Sequence, residues 1–106
     1  MYERRRFRFG EFELDATHPE LRRRGVTIPL QPRPLRLLLL LIENRERVVS
    51  KHEVRQWWGA AVTDQSITSA LRDIRRALDD SASAPRWIRT RPKIGYRFIG
   101  EVVVLA

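Results

Sequence analysis

Asp64 to Leu78 reads DQSITSALRDIRRAL, and the use made of its two sides decides the fold. At about 100° per residue, Ile67, Leu71, Ile74 and Leu78 fall in a stripe roughly 60° wide, with Ala70 at its edge. This is the side a helix buries. Opposite it, at roughly 140° to 200°, stand Gln65, Ser69, Arg72 and Arg76, an outward stripe with net positive charge. Thr68 and Arg75 lie on one flank and Asp73 on the other. Asp64 is expected to cap the helix through its carboxylate. A polar face on a lone surface helix is ordinarily just solvated, so the flanking sequence must decide whether this one is used.

Upstream, SKHEV (residues 50–54) fits a capping box, Ser50 serving one orphan amide and Glu53 reaching back to another. A short helix follows, with Val54, Trp57 and Trp58 as its apolar face and Gly59 closing it. AAVT (60–63) is a tight link to the quoted helix. Downstream, DDSASAP (79–85) is a polar loop, and the β-rich runs RWIRT and GYRFIG flank RPKI. That pattern predicts a hairpin with Arg91 and Lys93 at its tip.

Two capped helices followed by a basic hairpin match a helix-turn-helix with a wing. The second helix of such a pair fits the major groove, and the hairpin reaches the adjacent backbone or minor groove. Small polar residues in the first half of that helix allow close approach. Arginines beyond them pair with guanine edges or phosphates, and TSALR supplies that order.

Working back to the N-terminus, FRFGEFEL (7–14) alternates apolar and charged residues on either side of Gly10. It forms either a strand pair or one bent strand. ELRRRGVTIPL (20–30) reads as a hairpin turning at Arg24-Gly25, so residues 7–30 make a small antiparallel sheet. Pro32 and Pro34 end the extended segment, and a helix is expected from near Pro34 to Asn44. Its run LRLLLLLI (35–42) is apolar nearly all round, which implies burial, and falls far short of the roughly 20 residues that span a membrane. EVVVLA (101–106) is either one more strand or the start of a linker.

The chain has 106 residues, 42% of them hydrophobic, the size and composition of one folded domain. It has no cysteine, which excludes disulfides and thiolate zinc sites and fits a reducing compartment such as the cytoplasm. MYERRRFRFG lacks the apolar core of a signal peptide. Lys plus Arg number 21 against 13 Asp plus Glu, a formal charge of +8 with a pI near 11.3, which suits nucleic acid or an anionic membrane surface.

Other features have blander readings. Trp57 and Trp58 resemble a base-stacking platform, but their spacing with Val54 favours core packing for at least one. His18 and His52 are too isolated for a metal site and are expected at the surface. Glu11, Glu13 and Asp15 alternate along one strand without a nucleophile or phosphate loop nearby, and read as a solvated strand face. Arg4 to Arg6 and Arg22 to Arg24 read as soluble edges. No catalytic residue, metal, cofactor or small-molecule substrate is expected.

The motifs FRFGEFELD, VVSKHEV with WWG, SITSALRDIRRALDD and above all PRWIRTRPKIGYRF resemble the OmpR/PhoB-type winged helix-turn-helix DNA-binding domain. The resemblance spans residues 7–99 and is nearest to the branch of ToxR- and CadC-like membrane regulators. It implies an α+β fold within a single domain over 1–106. An N-terminal four-stranded antiparallel sheet (7–30) is followed by a three-helix core (34–78) and a C-terminal β-hairpin wing (86–99).

The resemblance also implies sequence-specific binding of double-stranded DNA by a bacterial transcription regulator, with the domain lying in the cytoplasm as part of a longer membrane-anchored or sensor-linked chain. Helix 64–78 would enter the major groove, and two copies would occupy direct-repeat half-sites. By position, Thr68, Ser69, Arg72 and Asp73 fall where the family contacts bases or nearby phosphates. Arg75 and Arg76 match a basic pair used in packing or phosphate contacts, and Thr90, Arg91 and Lys93 belong to the wing.

Two departures stand out. The segment 50–68 is about two residues shorter than usual, which weakens the expectation of an RNA polymerase contact through Gly59 to Thr63. Asp73 stands where an Arg is frequent; it would filter misplaced phosphates, accept from a cytosine amino group, or orient a nearby Arg. The other readings of the fold are a protein-interaction winged helix for an acidic partner and an RNA-binding module.

Overall fold

Alternation at the N-terminus becomes a four-strand meander in the computed structural model, which describes residues 5–59 and 61–105. Its strands are β1 (Arg6–Phe9), β2 (Phe12–Asp15), β3 (Glu20–Arg23) and β4 (Val26–Ile28), each antiparallel to the next. FRFGEFEL is therefore a strand pair, turned at Gly10 with φ 57°. Phe7, Phe9, Phe12, Leu14 and Leu21 are all buried, so one side of the meander is the core side. Arg24 and Gly25 both have positive φ, as the two central residues of a type I′ hairpin turn require.

The remaining elements are α1 (Pro32–Glu43), β5 (Val49–Ser50), α2 (Lys51–Trp58), α3 (Asp64–Leu78), β6 (Ile88–Arg91), β7 (Gly95–Phe98) and β8 (Val103–Leu105). Helix α1 starts earlier than expected because Pro32 takes its first turn, where a missing N–H costs nothing. Leu37, Leu38, Leu41 and Ile42 on it are fully buried. Among the described residues, no helix is long and apolar enough to cross a membrane.

Two strands correct the expected architecture. Val103–Leu105 pairs antiparallel with β1, so the first sheet has five strands in the order β4-β3-β2-β1-β8 rather than four. Strand β5 pairs with β7 to give a second sheet, β5-β7-β6. A two-residue strand shows no period, which is why β5 was not anticipated.

An aromatic cluster locks the sheets together and thereby places the wing. Trp87, just before β6, meets Phe9 edge-on at 5.3 Å and stacks on Phe98 at 5.9 Å. Phe9 also meets Phe98 edge-on at 5.2 Å. Such pairs contribute about 0.5–1.5 kcal/mol each beyond the area they bury. Gly10 is needed here, since a Cβ on it would lie 2.9 Å from the Trp87 ring.

Asp15 does not sit on a solvated face. It is 3% exposed, and its carboxylate accepts from the backbone N–H groups of Thr17 (2.9 Å) and His18 (3.3 Å), shaping the turn into β3. Trp58 packs partly buried against the core, whereas Trp57 is 41% exposed and stacks on it at 5.9 Å. His18 and His52 are exposed. Arg4 and Ala60, of the runs considered above, lie outside the described residues.

Candidate nucleic-acid interface

Helix α3 buries the side its periodicity indicates: Ile67, Ala70, Leu71, Ile74 and Leu78 are all in the core. Gln65, Ser69, Arg72 and Arg76, on the opposite side, are exposed, as is Thr68, whose hydroxyl donates to the Asp64 carbonyl at 3.0 Å. The cap is Thr63, not Asp64: the Thr63 hydroxyl accepts from the Ser66 N–H at 3.1 Å. Asp64 instead occupies the first turn, where negative charge suits the helix dipole, and pairs with Arg55 of α2. That pair ties the two helices together. The capping box on α2 forms as expected, with the Glu53 N–H donating to Ser50 Oγ at 3.0 Å.

The two flanks of α3 have different neighbours. On one, the Arg75 guanidinium donates to the Ile88 carbonyl (3.2 Å) and to Thr90 Oγ1 (3.0 Å), bracing the helix against the first wing strand. Its Nε is buried without a partner. Tyr96 on β7 is buried, and that burial pushes its phenol up, against the opposing fields of Arg55 and Arg75.

On the other flank, Ser66, Ser69, Ala70 and Asp73 line a groove of about 460 Å³ with Pro32, Pro34 and Trp58. A second groove, about 630 Å³, runs from Asp73 past Arg76 and Ala77 along Ile28 to Pro32. Asp73 is thus half-buried where the grooves meet beside the start of α1, off the outward stripe.

The wing is held at its base by one carboxylate. Asp80 accepts from the N–H groups of Arg86 (2.8 Å), Trp87 (3.2 Å) and Ile88 (3.0 Å), closing the loop between α3 and β6. The sequence carries no local sign of this role, because a DD pair after a helix looks like any polar loop. Asp80→Ala is expected to cost about 2 kcal/mol in urea denaturation, and Asp80→Asn, which keeps one acceptor oxygen, less. A loss below about 0.5 kcal/mol would show that solvent replaces these bonds. At the tip, Arg89, Thr90, Arg91 and Lys93 are exposed.

Ion pairing sorts the arginines. On the N-terminal sheet, Arg23 and Arg24 pair with Glu11, Arg6 and Arg22 with Glu13, and Arg22 with Glu20. Hydrogen bonds from Arg23 and Arg24 hold the Glu11 carboxyl below its ordinary range. These exposed pairs add little stability, but they offset the charge of Arg6, Arg22, Arg23 and Arg24 and leave Arg8 alone on the meander without a carboxylate partner among the described residues. Arg72, Arg76, Arg89, Arg91 and Lys93 have no carboxylate partner among the described residues. The same holds of Arg8, Arg33, Arg36, Arg45, Lys51 and Arg86 elsewhere, but α3 and the wing differ from the meander in that no cation on them is paired with a carboxylate among the described residues.

A meander, three helices and a hairpin braced to the last helix define a winged helix-turn-helix domain. The family described as "Transcriptional regulatory protein, C terminal" matches residues 25–98, and the chain belongs to it. It is 37% identical over 71 residues to the cholera toxin homolog transcriptional activator of Vibrio parahaemolyticus, covering 63% of this chain and 24% of that one. Among solved structures, the Thermotoga maritima response regulator DrrB, an OmpR/PhoB homolog, superposes with a TM-score of 0.80 at 29% identity over 90% of this chain and 44% of its own. The DNA-binding domain of Escherichia coli CadC gives 0.78 at 26% identity, covering 98% of this chain and 100% of that one. The chain spans 19–24% of the length of the first curated relatives it matches.

Proposed function

We propose that this chain is the duplex-DNA-reading module of a bacterial transcription regulator, working without catalysis in the cytoplasm, where the DNA lies. The observation that carries the reading is the distribution of charge: no cation on the outward stripe of α3 or on the wing is paired with a carboxylate among the described residues, while the sheet pairs all but one of its arginines. A polyanion is drawn to that side, and an exposed helix flanked by a hairpin fits the grooves of a duplex. The CadC structure, solved as a DNA-binding domain, supports the same use of the same fold.

Roles follow from position. Gln65, Ser69 and Arg72 point outward in the first two-thirds of α3 and read base edges, with Thr68 beside them. Arg76 contacts phosphate. Arg75 and Thr90 hold the wing to the helix and so set the distance between the two contacts. Arg91 and Lys93 engage backbone or minor groove. Asp73, beside the start of α1, excludes phosphates from that flank. Two copies on direct-repeat half-sites form the working unit.

Selecting binding sites from random duplexes tests the reading, because it reports binding, sequence preference and half-site spacing together. On the selected site Arg72→Ala should weaken binding by about 1–3 kcal/mol and relax the preference at one position. An unchanged preference would remove Arg72 from base reading. No retention on duplex DNA even at low salt would overturn the proposal in favour of an acidic protein partner.

A further inference from the structure

The wing tip carries an apolar side chain to which DNA contact by cations gives no role. Ile94 is 54% exposed, although both of its backbone groups are held. Its N–H donates to the Arg91 carbonyl at 2.9 Å, and its carbonyl accepts from the Lys51 N–H at 3.4 Å. The turn is short, since Arg91 already pairs with Gly95. Pro92 fixes its own φ, and Lys93 is held at φ 65°. The isoleucine is thus presented from a rigid tip, with little ordering left to lose on contact.

Its surroundings point to the partner. Arg89, Arg91 and Lys93 share the hairpin and have no carboxylate partner among the described residues. An apolar tip ringed by unpaired cations suits a surface that is anionic at its rim and apolar one layer deeper. The minor groove of duplex DNA has that layering, phosphates at the edges and sugars and stacked bases beneath.

We propose that Ile94 is a wedge that enters the minor groove and partly unstacks one base step, making DNA deformability part of this protein's specificity. The proposal rests on the DNA-binding reading above and deepens it. Arg91 and Lys93 hold the flanking phosphates while the isoleucine presses on the step. Pyrimidine–purine steps, TA above all, unstack most cheaply and are preferred there. Because Arg75 ties the wing to α3, that step lies at a fixed offset from the bases α3 reads.

The test uses the chain with its selected duplex, carrying 2-aminopurine in turn at each step under the wing. Wild type should raise the fluorescence at one step, and exchanging that step for a stiff A-tract should weaken binding about tenfold. Ile94→Ala should abolish the rise and lose about tenfold on the flexible site while binding the A-tract site like wild type. Ile94→Leu should retain both effects, and circular dichroism should show every variant folded.

Identical fluorescence and affinity for wild type and Ile94→Ala would overturn the wedge while leaving sequence-specific binding in place. Absence of any duplex binding by wild type would instead sink the DNA-binding reading, and the wedge with it. Ile94-dependent sedimentation with phosphatidylglycerol and phosphatidylcholine vesicles, with no fluorescence change on DNA, would also overturn the wedge and assign the tip to a membrane surface.

Discussion

Gly95→Ala should destabilise the protein by about 3 kcal/mol, at the upper end of what overpacking costs. A Cβ at this position would lie 2.0 Å from the Val49 carbonyl oxygen and 2.9 Å from the Ser50 Cα. Both are backbone atoms of β5, which pairs with β7 through Val49 and Tyr96 and through Ser50 and Gly95. No rotamer relieves such a contact, so the strands must part. Parting them frees the wing from the start of α2 and breaks the bond between the Lys51 N–H and the Ile94 carbonyl.

Urea denaturation measures this loss, and Gly25→Ala is the control. Gly25 has φ 80° but no atom within 4 Å of an added Cβ, so only backbone strain of about 1 kcal/mol is expected there. Equal losses at the two glycines would mean that β5 does not press on β7. At a temperature where Gly95→Ala stays folded, the proposed roles of the wing predict weaker binding to every duplex, with the largest loss on sites that carry a flexible step under Ile94.

The second large effect is on salt dependence. If the unpaired cations of α3 and the wing neutralise about six phosphates, affinity should drop roughly 10³-fold between 50 and 200 mM salt. Fluorescence anisotropy at several salt concentrations gives the slope. Arg91→Ala should reduce it by about one, on every sequence equally. Arg23→Ala should leave it unchanged, because Arg23 is paired with Glu11 at 2.9 Å on the sheet. A slope altered equally by Arg23 and Arg91 would show that ion pairing does not sort these arginines into used and unused sets.

Much of this fold is legible in the sequence. The buried stripe of α3, the capping box on α2, the hairpin turn at Arg24-Gly25 and the basic wing hairpin all follow from short-range periodicity and turn chemistry. The outward stripe of α3 was legible for the same reason, since one side of a helix is specified once the other is known to be buried. The errors were local as well: Thr63 rather than Asp64 caps α3, and α1 starts at Pro32. In each case two residues of similar type, one or two positions apart, competed for one place, and a periodic pattern does not rank them.

Other features needed contacts between distant segments. For Arg75 the sequence left packing and phosphate contact both open, and its guanidinium bonds to Ile88 and Thr90 give it the packing role. Asp15 looked solvated until it was found under the turn into β3. Strand β8 was ambiguous because its partner β1 lies at the opposite end of the chain. By itself, then, the sequence determined which elements form and which side of each is buried, because those depend on neighbours within a turn or a strand. Only the tertiary structure decided which arginines are neutralised by the sheet, which one braces the wing and which stay available to a polyanion. Charge compensation depends on distance in space, and residues far apart along the chain supply it.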